Sequence, residues 1–126
     1  MDAALGARLA RRFRRDAGRL ADAAGLVIMA RDVRPRTLLY VPPRRPEDIG
    51  AAVLPAGADG HVRDIMVAVA VGLHLDGSGL PAVYLDGTVA GEDDTRHRAA
   101  HAFARAFMTA ALAPDVDARG RVLQAG

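Results

Sequence analysis

The sequence predicts an α+β domain with helices towards its two ends and short strands between them. Three observations lead there. Apolar residues recur every three or four positions over 3–24, and they do so again over 92–113, as in amphipathic helices. Between these segments, LVIMA (26–30) and TLLYV (37–41) are short and rich in branched side chains, as strands are. The chain of 126 residues is 51% hydrophobic, enough for one core and one domain and far from the composition of a disordered tail.

The first helix is expected over 3–24, with Leu5, Leu9, Phe13, Ala17, Leu20 and Ala24 on one stripe. Arg8, Arg12, Arg15 and Arg19 form a second stripe beside it, and Gly25 is its stop. The strand 26–30 follows, then a turn around Pro35 and the strand 37–41, closed by Pro42 and Pro43, which cannot sit inside a ladder. PPRRPEDIG is an exposed connection, with one short helical turn expected at 46–53, and LPAGADG is loop. The segment EDDTRHRAAHAFARAFMTAALA (92–113) starts acidic and places Ala100, Phe103, Ala104, Phe107, Met108 and Ala111 on one face. Asp93, Asp94 or Thr95 caps it and Pro114 ends it. Residues 1–118 are expected to form the domain and 119–126 a mobile tail.

RDIMVAVAVGLHLDG (63–77) is harder to place. Val67, Val69 and Val71 alternate with alanine, a period of two that favours a strand, which would turn back through DGSG (76–79) onto PAVYLDG. Propensity alone favours the strand.

Composition excludes several functions. There is no cysteine, so neither a disulfide framework, a thiol nucleophile nor a cysteine-bound metal is available. No apolar run approaches the roughly 18 to 20 residues of a membrane span, and arginine interrupts the leucines near the start, where a secretory signal would be continuous. A cytoplasmic protein with no membrane partner is expected. Up to Arg45 there are 11 Arg and 4 Asp, and from Pro46 onward 6 Arg and 11 Asp or Glu. Such polarity serves internal pairing or head-to-tail self-association into a homo-oligomer.

The arginine stripe Arg8, Arg12, Arg15 and Arg19 could grip an acidic partner or phosphates, or could be the solvated side of a helix. Only Phe13 interleaves it, so a base-stacking platform and direct nucleic-acid binding are not favoured. The glycine turns GADGH (57–61) and DGSG lack a phosphate cradle's context, and Ser78 lacks a nucleophile elbow; no cofactor is expected. His97 and His101 lie one turn apart on a helix, a spacing that binds metals, and His74 could complete a set with Asp76 or Asp94 for acid–base or metal-assisted chemistry. Between Arg96, Arg98 and Arg105, however, the same histidines read as a solvated face unfavourable to a cation. His61 reads as a turn or cap residue, and Tyr40 and Tyr84, near strand ends, as core.

AVAVGLH (68–74), paired with AAHAFARAFM (99–108), resembles the ImmA/IrrE family of small zincin-type metallopeptidases. In that family one helix carries A-H-E-L-G-H and a later one carries E-A-N-x-F-A. Ala68, Gly72, Ala100, Phe103, Ala104, Met108 and Pro114 match, and the preceding order of helix, strand, strand and loop is similar. The resemblance implies that 63–75 is a buried helix. It also implies that Val69 and Leu73 stand at the two histidine ligands, Ala70 at the catalytic glutamate and Ala99 at the third ligand. Zinc needs imidazole or carboxylate donors, and the base that deprotonates its water must be a carboxylate. These four side chains supply neither. The resemblance therefore implies a pseudoenzyme: a regulatory module that binds a protein or peptide, such as a repressor-type regulator, through the former substrate groove near His74, His97 and His101, aided by the arginine face.

Overall fold

In the computed structural model, residues 2–35, 37–45, 47–77, 79–85, 88–90 and 94–111 are described. The elements run α1 (Ala3–Phe13), α2 (Ala17–Ala24), β1 (Leu26–Arg31), β2 (Leu38–Val41), β3 (Gly50–Pro55), α3 (Gly60–Leu75), β4 (Ala82–Leu85), β5 (Thr88–Ala90) and α4 (Asp94–Thr109). The fold is α+β. One mixed sheet has the order β1-β3-β2-β4-β5, parallel between β1 and β3 and antiparallel elsewhere. The helices α2 and α3 lie against the sheet, and α4 packs between α3 and α1.

The single helix expected over 3–24 is in fact two. Arg14 and Arg15 are left-handed (φ 53° and 57°), and the Ala10 carbonyl accepts from the backbone N–H groups of both. The Asp16 carboxylate then accepts from the Arg19 N–H at 3.1 Å and opens α2. Two left-handed arginines are unfavourable, but the break directs Ala10 into the interface with α4 while Ala17, Leu20 and Ala21 reach the core beside α3. Arg8, Arg12, Arg15 and Arg19 therefore do not share one continuous helical face. Arg8 and Arg12 belong to α1, Arg15 sits in the turn and Arg19 belongs to α2. Gly25 ends α2 as expected, at φ 75°.

The helical turn expected at 46–53 is overturned by β3. Its ends are held to β1 by Gly50 N–H to the Gly25 carbonyl (2.9 Å) and Ala56 N–H to the Arg31 carbonyl (2.8 Å). A strand here bonds β1 on one side and β2 on the other, whereas an isolated helical turn satisfies few of its backbone groups. Side chains alternate about this sheet: Leu26, Leu38, Tyr40, Ala52 and Leu54 face the helices and are buried, while Val27 and Val41 stand on the outer face, 41% and 51% exposed.

The ambiguous segment is helical. α3 is buried continuously from Met66 to Leu73, touching β1, β2 and β3 on one side and α2 and α4 on others. Covered in this way, it needs no polar stripe, and a helix satisfies its backbone within the segment. The valine alternation reflects burial all round. The expected hairpin of 65–71 with PAVYLDG is replaced by pairing of β4 with β2 and β5.

The last helix spans Asp94–Thr109 and ends before residues 110 and 111, where helix was expected to continue, with Ala100, Phe103, Ala104 and Phe107 in the core; 92, 93, 112 and 113 lie outside the described residues. The helix approaches its neighbours closely through two glycines. A Cβ built on Gly6 would lie 2.4 Å from the Phe103 carbonyl oxygen, and one on Gly72 would lie 3.0 Å from the Ala100 Cα. Ser78, Asp93, Pro114 and the tail 119–126 lie outside the described residues.

Candidate functional site

The polar groups nearest the core meet at the C-terminal end of α3. His74 Nε2 lies 2.9 Å from the Ala24 carbonyl oxygen, and Nδ1 lies 2.7 Å from the Tyr40 hydroxyl. A carbonyl only accepts, so Nε2 carries the proton and Nδ1 accepts from tyrosine. Burial raises the Tyr40 pKa above 10.0; the Arg96 cation opposes that shift and the Asp76 carboxylate adds to it. Tyr40 thus keeps the proton it donates.

Beside this pair, Arg96 of α4 forms an ion pair with Asp76. Its remaining donors reach the carbonyls of Leu80 (2.8 Å), Leu73 (3.2 Å) and Pro81 (3.4 Å). The guanidinium carbon lies 5.8 Å from the Tyr40 ring centroid. Gly50 seats the imidazole, since a Cβ there would come within 3.1 Å of the ring. This network ties the end of α2, β2, the end of α3 and α4 together. Each donor already has a carbonyl, carboxylate or ring nitrogen, so its work is to hold the fold.

A cleft opens further along the seam between α3 and α4. His61 and Ile65 line it from one helix, and His101, Ala104, Arg105, Met108 and Thr109 from the other, around a volume of ≈ 240 Å³. Arg15 reaches the end of α4 and donates to the Met108 carbonyl at 3.4 Å. The floor is apolar and the rim basic. Burial lowers the His101 pKa below 6.5, and the neighbouring Arg105 and His97 lower it further, because a second cation is unwelcome there.

The proposed histidine set is distributed along this seam. His101 lines the cleft with His61, His97 is 4% exposed one turn earlier, and both nitrogens of His74 are engaged by Tyr40 and Ala24. Among the described residues no three His, Asp or Glu side chains are placed to hold a metal ion. Val69, Ala70 and Leu73 are buried in α3, at 2%, 0% and 1% exposure, and Ala99 is half-buried on α4 next to the Ala100 that meets Gly72. Of the four arginines expected to form the stripe, Arg8, Arg12 and Arg19 are exposed, and Arg15 reaches the cleft's end through the Met108 carbonyl.

Sequence reasoning missed the Tyr40–His74 and Arg96–Asp76 pairs, whose members are 34 and 20 residues apart. It also missed that His61 lines the same cleft as His101. Local pattern carries no signal for such pairings. Compared with protein-family models, curated proteins and solved structures, the chain matches none. No described helix is long and apolar enough to cross a membrane.

Proposed function

We propose that this domain acts by binding a protein or peptide partner, as a peptidase-like module of the ImmA/IrrE kind that lacks the chemistry to cut. The observation that carries the reading is the burial of Val69, Ala70 and Leu73 inside α3, with no lone-pair donor among them or at Ala99. A hydrolytic zinc ion at those positions would have neither ligand nor general base. The helical state of 60–75 supports the same reading, because the resemblance requires a helix there.

The α3–α4 cleft is the proposed contact point. Ile65 and Met108 would take an apolar side chain, and Arg105, with Arg15 behind it, would take a carboxylate beside that anchor. A repressor-type regulator presenting an acidic segment fits this chemistry.

The test pairs two titrations. Zinc titrated calorimetrically should show no stoichiometric site. A fluorescein-labelled peptide with leucine flanked by glutamates should bind, and Arg105→Glu should weaken it about tenfold, the equivalent of about 1.4 kcal/mol. Stoichiometric zinc accompanied by peptide cleavage, or peptide affinity indifferent to Arg105→Glu, would overturn the proposal.

A further inference from the structure

The edge of β1 carries a second, separate surface. Among the described residues β1 is paired with β3 alone, and two bonds define which groups face which way: the carbonyls of Gly25 and Arg31 accept from Gly50 and Ala56 on the β3 side. In a parallel ladder the N–H and C=O of one residue point the same way and alternate along the strand. Odd-numbered residues from 25 to 31 therefore bond to β3, and Leu26, Ile28 and Ala30 direct their backbone groups out of the open edge. The Ala30 carbonyl confirms the direction, because it accepts from the Arg31 guanidinium at 2.8 Å instead of from a strand. That folded-back arginine, also 3.7 Å from the Met29 sulfur, blunts one end of the edge. Ile28 is left as its open centre.

A groove of ≈ 460 Å³ runs beside this edge, lined by Val27 and Ile28 of β1, Asp16 and Asp22 near α2, and Asp64 and Val67 of α3. Three carboxylates face it against one cation, Arg63. Val27, which also borders the groove, and Met29 present apolar side chains towards the outer face of the sheet.

We propose that the β1 edge docks an extended peptide segment of a partner protein in which basic and apolar residues alternate. Added as a strand, the segment bonds to the Ile28 N–H and C=O. Its period of two sends one set of side chains towards Asp22 and Asp64 and the other towards Val27 and Met29. The carboxylates select arginine or lysine on the groove side, and the outer face selects valine or leucine. This surface is distinct from the α3–α4 cleft, whose basic rim favours the opposite charge.

The probe is an acetylated, amidated (Arg-Val)₃ peptide, read by fluorescence anisotropy against (Glu-Val)₃ and the block isomer Arg₃Val₃. The alternating basic peptide should bind at least tenfold more tightly than either control. Asp22→Asn combined with Asp64→Asn should remove that preference, while Arg105→Glu leaves it intact. Amide hydrogen exchange at Ile28 should slow when the peptide saturates the protein. Ile28→Pro, which deletes the outward donor and keeps the β3 side, should abolish binding in protein whose thermal unfolding is unchanged; where it unfolds the chain, the exchange measurement decides. Equal affinity for the three peptides, or unaltered exchange at Ile28, would overturn the proposal.

Discussion

Substituting alanine for Gly6 should destabilise the protein, although glycine is a poor helix former. In an exposed helix interior, glycine to alanine gains about 0.8–1 kcal/mol from backbone entropy. Gly6 is buried, and a Cβ there would lie 2.4 Å from the Phe103 carbonyl oxygen, a backbone atom that cannot rotate away. Ordinary contact begins at 3.4 Å, so α1 and α4 would have to part by about 1 Å. A gap of roughly 0.5–1 Å already forfeits a quarter to a half of each dispersion contact across it. Overpacking of this kind costs about 1–3 kcal/mol, which offsets the propensity gain and leaves a net loss of up to about 2 kcal/mol. Gly18 on α2 supplies the control: it is exposed, and a Cβ there meets only the Asp16 carboxylate at 3.4 Å. Gly18→Ala should therefore stabilise by about 0.5–1 kcal/mol. Urea unfolding followed by circular dichroism gives both signs from shifts in midpoint at constant slope. A Gly6→Ala protein as stable as Gly18→Ala would refute the close α1–α4 approach.

Two further outcomes follow from the buried polar groups. Arg96→Leu removes the guanidinium from the Asp76 carboxylate and from the carbonyls of Leu73, Leu80 and Pro81, which should cost about 3–5 kcal/mol in a thermal melt, whereas Arg96→Leu with Asp76→Leu should recover part of that loss; equal stability of the single and double variants would argue against the network. His101 has a lowered pKa in the folded protein, so below pH 6.5 the unfolded chain takes up this proton first, and stability falls with acidification until the folded value is passed. The difference between wild type and His101→Gln should show that slope below pH 6.5 and flatten above it, and a difference independent of pH would contradict the assigned environment.

Local physics made much of the fold legible before any coordinates. The strands at 26–30 and 37–41 stand within a residue of β1 and β2, Gly25 terminates the helix before them, and the apolar face of α4 is the predicted one up to Met108, with Ala111 exposed beyond the helix. These features depend on periodicity and on single residues with strong backbone preferences, which a short window of sequence contains. The break at Arg14–Arg15 was not legible, because arginine prefers the helix and only the packing of α1 on α4 and α2 on α3 outweighs two left-handed residues. The same holds for β3, where Gly50–Pro55 carries weak strand character and acquires its state from bonding β1 and β2 on its two sides.

The site divides in the same way. The sequence alone determined which chemistry the chain could supply: histidines, carboxylates and arginines without a thiol, and an apolar run with no lone-pair donors at 69, 70 and 73. Only tertiary structure decided where those groups went. It spent His74 on Tyr40 and Ala24, turned Arg96 inward onto Asp76, set His101 and His61 along one cleft and, among the described residues, left one edge of β1 unpaired. Hydrogen bonds and charges act over a few ångströms, and residues far apart in sequence come within that range only when helices and sheet pack.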